Sequence, residues 1–253
     1  LRPEKLINFC KNNNIGLIIP SRDGELEYFS TIKKQLEEVG ISVMVSDKKN
    51  ILSCLDKLQF SKLEGVKSVF SSENIEDISG KRFVVKERYG AGSNTIGINL
   101  DKNNAITHSK KLKNPIYQPF IDGYEISADV FICIDGTIKG IVMRRREIVI
   151  NGESQLTSTF RDEKLEKELK QSLTLLQLYG HVMLQAIISD KNEIFIIECN
   201  PRFGGASTVS IYAGLDSFYW YYLESMKVPI NDYPFSRSEK EITQLRYPKD
   251  SYL

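Results

Sequence analysis

The stretch Ile194-Phe195-Ile196-Ile197-Glu198-Cys199-Asn200-Pro201-Arg202-Phe203-Gly204-Gly205 decides how the whole chain is read. Four consecutive apolar residues predict a strand buried on both faces. Side chains alternate along a strand, so Glu198 and Asn200 point the same way. A carboxylate and an amide oxygen on one face suit a hard cation such as Mg²⁺. Pro201 is expected to keep the chain extended past Asn200, so that Arg202 continues on that face and sets a fixed positive charge beside the metal. Gly204-Gly205 allows backbone to approach a ligand closely. Taken alone, the same residues equally suit a core strand ending in a polar turn, so the rest of the sequence has to decide.

With 253 residues the chain can bury a substantial core, in one large domain or two moderate ones. A net charge of +1 gives no electrostatic footprint for nucleic acid or an anionic membrane. No apolar run approaches the roughly 20 residues of a membrane span, and there is no signal-peptide pattern. Cys10, Cys54, Cys133 and Cys199 are scattered without a CxxC, and only His108 and His181 could join them. That argues against a zinc site or a disulfide framework and fits a reducing cytoplasm. Leu1 stands where Met would, which suggests that N-terminal sequence is missing.

In chain order, helices are expected over residues 4–13, 25–39 and 48–58, and short strands over Ile15–Ile19 and Ile41–Val45. The second helix carries Leu26, Phe29, Ile32, Leu36 and Val39 three or four apart, and this βαβα order predicts a parallel sheet. From about residue 80 the pattern turns strand-rich. Arg82–Lys86 and Ile96–Leu100 flank the loop Tyr89-Gly90-Ala91-Gly92-Ser93-Asn94-Thr95, which could offer backbone N–H groups to phosphates or be an ordinary hairpin. It fits neither a P-loop nor GxGxxG. Lys86 could reach phosphates from its strand end or sit as a solvated edge lysine. Strands are expected over Asn114–Phe120, Glu125–Ile134, Thr137–Ile150 and Val182–Ile188, with a hairpin turn at Asp135-Gly136. Arg144 and Arg146 share one face of their strand and Arg145 takes the other. Asn151-Gly152-Glu153-Ser154 reads as a polar turn, residues 163–178 as a helix with a leucine stripe, and residues 215–226 as an aromatic-rich helix. The final 25 residues read as irregular.

Taken together and in order, Lys57, Lys86, the glycine loop, Gln118–Ile121, Gln185, Glu198, Asn200 and Arg202 resemble the ATP-grasp superfamily, with the closest look to its carbamoyl-phosphate-synthase-like group. Asp56-Lys57 resembles the family's Asp-Lys pair, Phe83-Val84-Val85-Lys86 its nucleotide-binding lysine strand, and Gly90-Ala91-Gly92-Ser93 its mobile phosphate loop. Tyr117-Gln118-Pro119-Phe120-Ile121, followed by Gly123 and Glu125, resembles the adenine hinge and ribose-contacting acid. Gln185, Glu198 and Asn200 fall on the magnesium-ligand positions and Arg202 on the phosphate-contacting arginine.

The fold this implies is α/β and α+β. It comprises a truncated Rossmann-like domain (residues 1–58), a lid subdomain (59–122) and a C-terminal antiparallel-sheet subdomain carrying the metal site (123–253). The resemblance implies an ADP-forming carboxylate–amine ligase, with ATP and Mg²⁺ (or Mn²⁺) as cofactors and a small carboxylate plus an amine as further substrates. A carbamate or carboxylate kinase and a non-catalytic ATP-binding module are the alternatives, and a homodimer is compatible with it. Lys57, Lys86 and Arg202 would stabilise phosphate charge, and Arg144 or Arg146 would hold the acceptor carboxylate. Against the family pattern, the front of the Rossmann-like part is missing and the interval from Lys57 to Lys86 is short.

Overall fold

The computed structural model describes residues 2–90, 95–150 and 152–247. The chain begins with α1 (Pro3–Asn12), β1 (Leu17–Ile18), α2 (Asp23–Glu37), β2 (Ser42–Val43), α3 (Lys48–Leu55) and α4 (Lys57–Phe60). β1 and β2 pair in parallel, Leu17 opposite Ser42, as the βαβα order predicts. Each is shorter than expected, since among the described residues this sheet has two strands and flanking residues have no ladder to extend. Leu26, Ile32 and Leu36 of α2 bury against Ile41, Val43 and Ile51, whereas Val39 lies beyond the helix end and is exposed. The single helix expected over 48–58 is broken. Asp56 takes a β conformation and its carboxylate accepts from the amides of Leu58 and Gln59, capping α4. The break sets Lys57 at a helix start instead of mid-helix.

A three-stranded sheet follows, in the order β4 (Gly97–Leu100), β3 (Phe83–Glu87), β5 (Pro115–Pro119). Between β4 and β5 lies α5 (Lys102–Ser109), which the sequence reading missed. Only Ala105 and Ser109 of α5 are buried, too few to print a helical period. The legible signal is Asp101, whose side chain caps the amide of Asn104 at 2.9 Å.

The rest is built on a six-stranded antiparallel sheet. Its strands in chain order are β6 (Gly123–Ile132), β7 (Ile138–Ile150), β8 (Glu153–Phe160), β9 (Gly180–Ser189), β10 (Ile194–Asn200) and β11 (Thr243–Leu245). In space they run β10-β9-β6-β7-β8-β11. The helices are α6 (Glu163–Leu176), α7 (Ser207–Tyr212) and α8 (Ser217–Ser225). On one face Ile126, Ala128, Val130 and Leu184 pack under the predicted leucine stripe of α6, Leu165, Leu169, Leu173 and Leu176. Each such leucine contributes about 1.5–3 kcal/mol relative to exposure.

The opposite face is divided. Phe131 and Val142 are covered by Leu215, Trp220 and Tyr221, while Glu125, Ser127, Arg144 and Arg146 line an open cleft. Two expectations fail at this sheet. Glu153-Ser154 is the start of β8 and not a turn, and β11 lies in the segment read as irregular. β8 has no apolar run because Thr157 and Thr159, set opposite Arg146 and Arg144, belong to the polar face.

Candidate nucleotide and metal site

β10 pairs with β9 in two registers: Ile196 opposes Ala186, whereas Glu198 opposes Gln185. Ile197 is the extra residue of a β-bulge. Without it, Glu198 and Asn200 would share a face with Ile194 and Ile196, which lie in the core. The bulge puts Cys199 into that core instead and delivers Glu198 and Asn200 to the cleft. The two-sided burial expected of this strand is therefore only partial: Ile194 and Ile196 are buried, Phe195 and Ile197 half-buried. Asn200 Nδ2 donates to Glu198 Oε1 at 2.9 Å, which fixes the amide's orientation.

Glu198, Gln185 and Asn200 thus offer oxygen donors carrying one negative charge. Among the described residues no cluster of three or more His, Cys, Asp or Glu side chains is available to a metal. An all-oxygen, low-charge set fits Mg²⁺, which keeps several waters and takes phosphate oxygens as further ligands.

All the predicted site residues that are described line one cleft of about 810 Å³. Lys57, Lys86, Gly90, Gln118, Phe120, Ile121 and Glu125 lie on it, as do Arg144, Arg146 and Arg202. Ala91, Gly92 and Ser93 lie outside the described residues. Lys57 reaches Gly90 O at 2.6 Å, and its backbone amide donates to Arg88 O. Arg88 in turn grips the Asp56 carboxylate through two N–H groups. Lys86 is 6% exposed, so it is not a solvated edge lysine. Its ammonium lies 3.4 Å from Ile197 O, the carbonyl at the bulge. Burial pulls its pKa from 10.5 down to about 8, with Glu198 opposing that shift and Lys57 adding to it. The Gln118 side chain is tied to protein, its Nε2 donating to Ser71 Oγ at 2.8 Å.

Pro201 does not extend the chain. The Arg202 amide closes a tight turn on Asn200 O at 2.8 Å, yet the guanidinium still returns to Asn200 Oδ1 at 3.2 Å. Arg202 also forms a two-pronged pair with Asp23, from the first turn of α2.

The acceptor arginines differ from expectation. Arg144 is 2% exposed and its Nε donates to Asp129 Oδ2 at 2.7 Å. Asp129 is a buried hub that also meets His181, Ser207 and Ser210. Burial would raise the Asp129 pKa, but Arg144 and His181 hold it well below the usual carboxylate range. Arg146 is paired with Glu125 and donates to Gly152 O. Both arginines are committed to protein partners, so neither is placed as a free clamp.

Two residues that sequence reasoning passed over reach the cleft region. Asp23 is one, the first residue of α2. The other is Arg246, whose amide bonds Gln155 O beyond β11. Its guanidinium meets Glu153 at 3.4 Å and is about one-third exposed. A Cβ on Gly205 would lie 3.3 Å from Arg246 Nη1, and one on Gly204 would collide with Met183 Sδ. The glycine pair therefore makes room for protein side chains. Ile242-Thr243-Gln244-Leu245 just before it does not alternate apolar with polar, so the sequence carried no strand signal pointing to Arg246.

The sequence pattern of the ATP-grasp domain family matches residues 38–206, about two thirds of the chain. No curated protein matches it in sequence. Among solved structures, the biotin carboxylase domain of Hydrogenobacter thermophilus 2-oxoglutarate carboxylase is similar at TM-score 0.75 and 17% identity, over 96% of this chain and 61% of that one. Biotin carboxylase from Campylobacter jejuni gives TM-score 0.75 and 11% identity, over 95% and 61%. The L-amino acid ligase of Bacillus licheniformis gives 0.59 and 15%, over 76% and 50%. The chain spans about three fifths of the length of the two carboxylases. At these identities the likeness is one of fold, mixed α/β with a large antiparallel sheet.

Proposed function

The chain belongs to the ATP-grasp family, and from that premise we propose that it is an ATP- and Mg²⁺-dependent ligase. It joins a small carboxylic acid to an amine through an acyl-phosphate and releases ADP and phosphate. The observation that carries this reading is the placement of Glu198 opposite Gln185, with Asn200 beside them and Lys86 against the same bulge. Within the family, the sequence resembles the carbamoyl-phosphate-synthase-like group. The H. thermophilus domain was solved with MgADP and bicarbonate, which supports nucleotide and Mg²⁺ here, with Mn²⁺ as a substitute. In this reading residues 1–58, 59–122 and 123–253 are the three parts of the fold, and nucleotide lies between the last two.

The chemistry brings a carboxylate onto a γ-phosphate, two anions that repel. Mg²⁺ held by Glu198, Gln185 and Asn200 would neutralise β- and γ-phosphate charge. Lys57 and Lys86 would stabilise charge on the triphosphate, as would Arg202, which Asp23 orients. Gln118–Ile121 would hold the base and Glu125 the ribose. The acceptor needs no general base, since a carboxylate is already ionised at neutral pH. Among the described residues, Arg246 has fewer protein partners than the other guanidinium groups of this cleft, so it takes the acceptor role in place of Arg144 and Arg146. Its planar fork suits a carboxylate or an acyl-phosphate. Among the described residues no helix is long and apolar enough to cross a membrane, and the four cysteines are free and buried. Both fit a cytoplasmic enzyme.

The test combines chromatography of nucleotide products with hydroxylamine trapping over a panel of carboxylic acids. ADP with a hydroxamate from one acid is expected. AMP as the only nucleotide product rules the chemistry out, and ADP without hydroxamate moves the reading to a carboxylate kinase.

A further inference from the structure

Ser127 lies in the middle of β6, 1% exposed, and its Oγ has no hydrogen-bond partner among the described residues. Four other buried side-chain polar atoms share that condition, on Tyr28, Tyr221, Glu224 and Gln244. Of these residues only Ser127 lines the cleft. An orphaned hydroxyl carries an uncompensated desolvation cost that alanine at the same place would avoid. Its strand neighbours Ile126 and Ala128 point into the core on the other face of the sheet, so Ser127 is the side chain that β6 turns toward the cleft at this point.

The pairing places it closely. Ser127 stands opposite Gln185 on β9 and opposite Arg144 on β7, and Gln185 in turn opposes Glu198. Adjacent strands lie about 4.8 Å apart, so Ser127 is one strand from Gln185 and two from Glu198. None of these neighbours satisfies it. Arg144 is turned to Asp129 and to Met183 Sδ, and Glu198 accepts from Asn200. A serine hydroxyl donates one hydrogen bond and accepts others, so a bound oxygen would complete it.

We infer that Ser127 Oγ donates to an oxygen of the bound metal–nucleotide complex, either a phosphoryl oxygen or a water held by the metal. The inference rests on the proposed ATP reading and assigns that site a binding residue outside its ionic set.

The experiment titrates the full chain calorimetrically with ADP and with a non-hydrolysable ATP analogue, each with and without Mg²⁺, in wild type, Ser127→Ala and Ser127→Thr. The alanine variant is expected to bind nucleotide about tenfold more weakly while its nucleotide-free melting temperature rises by ~2–4 °C. Threonine keeps the hydroxyl and is expected to recover the affinity. Weakening with and without Mg²⁺ assigns the contact to phosphate, and weakening only with Mg²⁺ assigns it to metal-bound water. Unchanged affinity of the alanine variant overturns the inference. So does loss of affinity in both variants accompanied by a lowered melting temperature, which marks a packing role. Wild-type protein that binds neither nucleotide overturns the ATP reading itself, and the inference with it.

Discussion

Glu198 stands directly opposite Gln185 across the β10–β9 pair, and it does so because Ile197 is bulged out of the ladder between them. One inserted residue reverses which side chains of β10 face the cleft. Glu198 is the one carboxylate of the proposed metal set, and glutamine is close to its size. Glu198→Gln is therefore expected to cut Mg²⁺-dependent ATP turnover on the order of 10²-fold, with the melting temperature little changed. Turnover equal to wild type would remove the metal assignment.

Lys86 gives a pH dependence with a definite sign. Its folded pKa is lowered to about 8 from 10.5, chiefly by burial. Between those values the folded protein has lost a proton that the unfolded chain keeps, so the unfolded state binds more protons and stability rises with pH. Below pH 8 the fold holds a buried charge at a cost. Lys86→Met should thus stabilise the protein at pH 7 by ~1–3 kcal/mol, flatten the rise in stability between pH 8 and 10, and weaken ATP binding. Urea unfolding at several pH values, compared with wild type, checks the first two; unchanged ATP affinity by calorimetry would remove Lys86 from the phosphate site.

Arg144 and Arg246 should separate cleanly. Arg144 is half of a buried pair with Asp129, and breaking such a pair costs roughly 3–5 kcal/mol. Arg144→Ala is expected to lower the unfolding midpoint sharply. Arg246→Ala loses one partly exposed pair with Glu153, worth ~0–1 kcal/mol. It should keep its stability and its ATP affinity, yet give several-fold less hydroxamate in the trapping assay. A folded Arg144→Ala variant with a selective loss of hydroxamate would return the acceptor role to Arg144.

Asp129 makes a second pH statement. Its carboxyl is held well below the usual range despite burial, by Arg144 and His181. A depressed folded pKa contributes stability above the unfolded value near 4, which is lost progressively as pH falls below it. Asp129→Asn should destabilise at pH 7 and show a shallower acid limb. Parallel acid limbs for variant and wild type would remove this hub from the account.

How much of this was legible depended on where polar residues sit in the sheet. The β10 stretch, the α6 leucine stripe and the β1–β2 pairing were readable, because apolar periodicity records burial. β8 was not. Thr157 and Thr159 face Arg146 and Arg144 across the ladder, so the strand alternates polar with polar and resembles a loop. α5 buries too little to show a helical period. The cleft residues of the acid–amide–arginine stretch were legible from their spacing, but their hydrogen-bond partners were not. That Arg144 belongs to Asp129 and Arg202 to Asp23 depends on elements 15 and 179 residues away in sequence. The bulge at Ile197 left no mark in composition, since a bulged isoleucine and a paired one look alike.

β11 has a consequence beyond placing Arg246. It is three residues long and covers the outer side of β8, a strand of eight. An uncovered β8 would offer unpaired backbone N–H and C=O groups as a template on which another chain could add a strand. The short terminal strand converts that long, adhesive margin into a brief one. A variant with Gln244→Pro, which removes a ladder amide at the centre of β11, should then self-associate in a concentration-dependent way, before any loss of helical signal.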